Sequence, residues 1–145
     1  MRIPTGKPEA AAWVSGEGCL RGVVKFYAIP RGTLVAAEIM GLPESETGFF
    51  AFHIHEGSQC AGEGYESTGG HFNPLDAPHP NHAGDMPPLL SRGGRAMLVF
   101  ETGRFRPEEV VGRTVVIHSG SDDFHSQPSG NAGRKLGCGV IRRIS

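Results

Sequence analysis

VVKFYAIPRGTLVAAEIM, residues 23–40, is the stretch that decides the architecture. Two apolar-rich runs, Val23 to Tyr27 and Leu34 to Met40, flank Pro30-Arg31-Gly32. Proline presets φ for a turn and glycine accepts conformations other residues resist, so the runs read as two strands joined by a turn. The same signature recurs on both sides. Ala11 to Val14 reads as a first strand, and Phe49 to His55 as a third clear one after the opening pair. Arg95 to Phe100 alternates, with Ala96, Leu98 and Phe100 on one face, while Val115 to His118 and Gly139 to Ile144 are short strands near the end. Pro107-Glu108-Glu109 could begin a single helical turn. No segment sustains a helical period, and many short strands between Gly/Pro turns predict an all-β sandwich or Greek-key barrel.

At 145 residues the chain suits one domain with one core, and it has neither internal repeat nor linker. Its 38% hydrophobic and 20% charged residues are those of a globular protein rather than a disordered tail. A net charge of -1 argues against general binding to nucleic acid or a membrane surface, which needs a basic field. An anionic substrate would have to be drawn by a local patch. No run of about eighteen apolar residues exists to span a membrane. The stretch from Met1 to Val14 has no apolar run long enough for a signal peptide, so the chain as it stands reads as cytoplasmic, with export by a removed leader or another route left open. Cys19, Cys60 and Cys138 form no close-spaced zinc pattern; their spacing leaves open one bridge, Cys60 to Cys138, or three free thiols.

Two stretches, Glu56 to Gly94 and Ser119 to Gly137, lack strand character. Loops of that length in a compact domain are usually functional or disordered, and the first is full of His, Pro and Gly, so a metal could order it. Five of the seven histidines fall between His53 and His82. His53 and His55 sit two apart on a strand and therefore share a face, with Phe52 and Ile54 turned into the core. His118, on a separate strand, and His71, from the loop, can complete a set of four nitrogens, which favours copper(II). His79, His82 and Asp85 form an H-x2-H-x2-D segment that, with His71, gives the three nitrogens and one carboxylate that suit zinc. His71 would then serve both metals, one through each ring nitrogen, as an imidazolate stabilised by two nearby cations. A lone strand histidine is commonly a satisfied or exposed residue; six histidines and an aspartate in this order are not explained that way. His125 lacks a partner by spacing and reads as a surface residue.

At these residues the chain resembles the copper/zinc superoxide dismutases. The matching stretches are FHIHE (52–56), GGHFNP (69–74), HAGD (82–85), GRTVVIH (112–118) and GNAGRKLGCGVI (130–141), with GVVKF (22–26) and Gly41-Leu42 also fitting. The resemblance runs from about residue 10 to 141, and the spacing of Cys60 to His71 looks like the bacterial branch. It implies a single domain over residues 1–145, built as a flattened eight-stranded Greek-key β-barrel, an immunoglobulin-like sandwich, with two long functional loops. It implies a copper site at His53, His55, His71 and His118, a zinc site at His71, His79, His82 and Asp85, and an intrachain disulfide between Cys60 and Cys138. Asp122 matches a carboxylate that links the remaining nitrogens of one copper and one zinc histidine, which would fix ring orientation. The implied activity is antioxidant: disproportionation of the superoxide anion to oxygen and hydrogen peroxide by Cu(II)/Cu(I) cycling beside a structural zinc, with His71 supplying a proton. Family members of this kind occur as monomers or homodimers. One departure stands out. Where the family usually carries an arginine beside the copper, this chain has Lys135, preceded by Arg134; the charge is kept while the planar fork of donors is lost. The second loop is also shorter than in the animal proteins. No Cys-x-x-Cys metal-delivery module is present.

Overall fold

The structure is a computed structural model describing residues 6–145, so Met1 to Thr5 of the N-terminal stretch lie outside it. The strands are β1 (Ala10–Gly16), β2 (Arg21–Ile29), β3 (Gly32–Met40), β4 (Phe49–Phe50), β5 (Phe52–His55), β6 (Leu89–Leu90), β7 (Ala96–Thr102), β8 (Thr114–His118) and β9 (Lys135–Arg143). One four-residue helix, α1, spans Pro107–Val110, and a 3-10 segment spans Glu63–Thr68. The protein is all-β, as the patterning predicts. Seven strands form one antiparallel sheet in the order β5-β8-β9-β1-β2-β3-β7, and β4 and β6 form a second, two-stranded one.

The opening hairpin is tighter than Pro30-Arg31-Gly32 suggests. Ile29 pairs with Gly32, which leaves a two-residue loop with Arg31 at φ 68°. Alternation then sets the faces. Ala10, Ala12 and Val14 of β1, Val24 and Phe26 of β2, and Val35, Ala37 and Ile39 of β3 all bury inward. Phe52, Ile54, Val115, Ile117, Leu136 and Ile141 come to the same core from the other end of the sheet. Each large apolar side chain so buried stabilises the fold by roughly 1.5–3 kcal/mol.

Most strand ends differ from the sequence reading by one or two residues, and β6 lies within Glu56 to Gly94, a stretch read as lacking strand character, where Leu89 and Leu90 pair with Phe50 and Phe49. Two differences are larger. The segment Phe49 to His55 breaks at Ala51: Phe49 and Phe50 pair with β6, whereas Phe52 to His55 pair with β8. Ala51 accepts from the His118 N–H at 2.9 Å and donates to the Gly120 carbonyl at 2.8 Å, which carries the chain from one sheet to the other. The last strand begins at Lys135 rather than Gly139, because Leu136 is buried and Lys135 pairs with His118 across a register shift in β8. Four glycines between 130 and 139 hide that strand from a pattern search.

Candidate metal centre

β5 lies at the end of the sheet order, with β8 on one edge. Its other edge is met by the long loop. The Ile54 N–H donates to the Gly84 carbonyl at 2.8 Å, Phe72 N–H to the Ile54 carbonyl at 2.8 Å, and Glu56 N–H to the Gly70 carbonyl at 2.9 Å. These bonds set His71 opposite His55 and Asp85 opposite His53. His118 arrives on β8 from the far side. As alternation predicts, Phe52 and Ile54 enter the core while His53 and His55 share the other face, so His53, His55, His71 and His118 bring one ring nitrogen each within 4.8 Å of one another. All four are buried.

Fixed acceptors decide which nitrogen of each ring is free. His55 Nδ1–H donates to the Gly69 carbonyl at 2.7 Å and His118 Nδ1–H to the Gly133 carbonyl at 3.2 Å. A carbonyl only accepts, so both rings carry their proton on Nδ1 and present an Nε2 lone pair. Those two Nε2 atoms face each other at 3.2 Å. Two lone pairs at that distance repel unless a cation lies between them. His53 Nδ1 and His71 Nε2 are buried without any hydrogen-bond partner. Unpartnered buried nitrogens are costly in a protein and are what a metal would satisfy. The donor set therefore fits copper.

A second cluster adjoins the first through His71. Its Nδ1 lies 2.8 Å from Asp85 Oδ1 and 3.1 Å from His82 Nδ1. Asp85 Oδ2 lies 3.1 Å from both His79 Nδ1 and His82 Nδ1. His53, His71, His79 and Asp85 also fall within 4.8 Å of one another, because His53 packs on His71 with ring centroids 4.0 Å apart. His53 is nevertheless turned to a different neighbour, and the direct contacts to the carboxylate come from His71, His79 and His82. Three Nδ1 atoms around one carboxylate make the set that suits zinc.

Asp122 ties the two clusters together. Its Oδ2 accepts from His53 Nε2 at 2.8 Å and its Oδ1 from His79 Nε2 at 2.7 Å. Both rings thereby keep Nδ1 for the clusters. Gly130, at φ 73°, lies so close over this pair that a Cβ there would sit 2.0 Å from Asp122 Oδ1 and 2.5 Å from His79 Nε2. Gln127 brackets the backbone of His79, accepting from its N–H at 2.9 Å and donating to its carbonyl at 2.8 Å. Arg104 donates to the Pro80 carbonyl at 2.8 Å and the His82 carbonyl at 3.1 Å, holding the histidine loop from outside.

Burial pushes His55 down to about 2 and His118 to about 3, and it also lowers His53 and His82. Neutral rings are the metal-binding form. Burial pushes the Asp85 carboxyl up, but its hydrogen bond and proximity to His71, with His79 and His53 near, hold it below the ordinary carboxylate range. Burial pushes the Asp122 carboxyl up as well, but its hydrogen bonds to His53 and His79 hold it well below that range.

Lys135 Nζ donates to Thr68 Oγ1 at 2.7 Å and to the Gly69 carbonyl at 3.2 Å, and its charge lowers both His55 and His118. Arg134 is not brought to this site. Its guanidinium is exposed and pairs with the Glu17 carboxylate. His125 is exposed, as its spacing predicts. Cys60 and Cys138 are bridged, with Cα atoms 5.8 Å apart, and Cys19 is a free, exposed thiol. Gly69, Gly133, Gln127, Gly130 and Arg104 escaped the sequence reading. The first two act through backbone carbonyls, which any residue carries, so only their place inside the GGHFNP and GNAGRKLGCGVI stretches hints at them.

Four imidazoles and a cluster of three imidazoles and one carboxylate, sharing His71 on a β-sheet frame, define a protein built to bind two metals side by side. The family model for copper/zinc superoxide dismutase (SODC) matches residues 20–141. The chain belongs to the copper/zinc superoxide dismutase family. A copper–zinc superoxide dismutase of Deinococcus radiodurans is 34% identical over 149 residues, covering 88% of this chain and 80% of that protein. The third such enzyme of Arabidopsis thaliana is 36% identical over 161 residues, covering 97% and 94%. The extracellular enzyme of Rattus norvegicus is 38% identical over 134 residues, and its match to this chain covers 84% of the chain and 54% of the rat protein. Among the described residues, no helix is long and apolar enough to cross a membrane.

Proposed function

We propose that this protein disproportionates superoxide, with copper held by His53, His55, His71 and His118 and zinc held by His71, His79, His82 and Asp85. The observation that carries the reading is His71, whose Nδ1 meets the carboxylate cluster while its buried Nε2 is left for the imidazole cage. Copper, when bound, supplies one-electron redox chemistry between Cu(II) and Cu(I), so that one superoxide is oxidised to oxygen and a second is reduced. The balance is two superoxide ions and two protons to one oxygen and one hydrogen peroxide. Were His71 Nε2 released from the copper, its lone pair would be free to hold one of those protons and pass it toward the nascent peroxide. Asp122 keeps His53 and His79 oriented through their Nε2–H groups. Lys135 supplies the cation that draws the anion, and the pairing of Arg134 with Glu17 leaves that task to Lys135. One domain goes with this reading, closed as a flattened eight-stranded Greek-key barrel; the single core supports it, and the nine strands become eight when β4 and β5 are counted as one strand broken at Ala51.

The test is metal content and superoxide decay in two variants loaded with both metals. His118→Ala should retain less than stoichiometric copper and lose turnover, while Asp85→Ala should lose zinc first. Unchanged turnover at full copper in His118→Ala, or equimolar zinc in Asp85→Ala, would count against the assignment.

A further inference from the structure

The geometry points to Thr68 as the residue that positions Lys135 for anion capture, a role that rests on the copper-site reading above. An ammonium on a four-carbon stem has no preferred direction of its own, so something must aim it. Thr68 is fully buried, and its hydroxyl has one proton, which it donates to the Tyr65 carbonyl at 2.8 Å. That commitment turns an oxygen lone pair toward Lys135 Nζ at 2.7 Å. The Gly69 carbonyl takes a second ammonium N–H at 3.2 Å while also accepting from His55 Nδ1. Two of three donors are thus held, and among the described residues the third has no partner.

The seat is itself rigid. The Gly57 N–H donates to the Thr68 carbonyl at 2.8 Å, and a Cβ on Gly57 would sit 2.1 Å from the Ser67 carbonyl, so the segment packs hard against the end of β5. Cys60, just before the 3-10 segment, is bridged to Cys138, on β9 with Lys135. The same two pieces of chain are therefore joined twice, once covalently and once through the Thr68–Lys135 bond. Where an arginine would bring its own planar fork, this chain pairs a lysine with a hydroxyl and a carbonyl that fix it.

The test is azide binding to the copper- and zinc-loaded protein, followed by the change in copper(II) absorption. Thr68→Val keeps the shape and removes the hydroxyl, and it should weaken azide about threefold to tenfold, less than the whole worth of a hydrogen bond to a charged group because the Gly69 carbonyl still holds the ammonium. Lys135→Met should weaken it at least as much, and adding Thr68→Val to Lys135→Met should cost nothing further, because the hydroxyl acts only through the ammonium. Thr68→Ser should bind azide within about twofold of the parent. In metal-free protein, the Lys135 ammonium signal in ¹H–¹⁵N spectra should be sharp in the parent and Thr68→Ser and broadened by exchange in Thr68→Val. Parent-like azide affinity in Thr68→Val beside a loss in Lys135→Met would overturn the role of Thr68 and leave that of Lys135 standing. Additive losses in the double variant would overturn it too, since Thr68 would then act on the fold rather than on Lys135. Parent-like affinity in Lys135→Met would overturn the reading on which the inference rests. Should Thr68→Val not fold, a tenfold loss in Thr68→Ser serves as the overturning result.

Discussion

Burial is the largest influence on the imidazoles of His55 and His118, holding them at about 2 and about 3 against an ordinary 6.5. The sign of the consequence follows. Between pH 6.5 and about 3 the unfolded chain takes up a proton at each position while the folded one does not, so stability falls as pH falls. Each group contributes roughly 1.4 kcal/mol per pH unit across that window. Protein stripped of metal by a chelator should therefore show a denaturant midpoint that drops steadily from pH 7 to pH 5, and a flat profile there would contradict the buried neutral rings. At this scale the sequence was highly legible wherever a side chain does the work. His53 and His55 could be set on one face because strand side chains alternate. The Gly69 and Gly133 carbonyls that fix the His55 and His118 tautomers were not legible, since a backbone oxygen leaves no mark on the residue type. The placement of Arg134 on Glu17 was equally hidden, because it depends on how the turn after β1 meets the start of β9.

Among the elements, most strand cores were readable and their ends were not. Phe49 to His55 reads as one run because no glycine, proline or other turn-forming residue interrupts it, yet Ala51 is committed to Gly120 and His118 and splits it between two sheets. β9 starts early because pairing with β8 overrides the weak strand preference of a glycine-rich run. The second loop is where this matters for the metals. It carries Asp122 and then folds Gly130 over it, in a conformation glycine alone tolerates easily. Gly130→Ala should displace Asp122 from His79. The expected result is a stability loss of about 1–2 kcal/mol from the left-handed backbone alone, and zinc affinity lower by roughly 10–100-fold, as when an outer partner of a metal histidine is lost. Competition with a zinc chelator measures the second quantity, and parent-like zinc retention would show that Asp122 does not depend on this close approach.

For the molecule as a whole, sheet, loops and bridge act as one frame. Cys60 and Cys138 are 78 residues apart, so their bond closes a loop that includes β6, β7, β8 and the candidate ligands from His71 to His118, and it leaves β5, with His53 and His55, just outside. Replacing both cysteines by serine should lower stability by roughly 2–5 kcal/mol, read as a lower denaturant midpoint. The pairing was legible from the family resemblance, whereas spacing favoured it only weakly over three free thiols. That two metals should sit side by side was legible from the order of the histidines; that Lys135 would need Thr68 to aim it was not, because those residues are 67 apart and meet only when β9 packs on the 3-10 segment. The most direct measurement of the central claim is superoxide decay catalysed by protein holding one copper and one zinc, across a range of salt concentrations. Fast decay that slows as salt rises is the predicted result, because a local cation must draw an anion to a chain of net charge -1. Full copper occupancy with no decay above background at any salt concentration would contradict the dismutase reading.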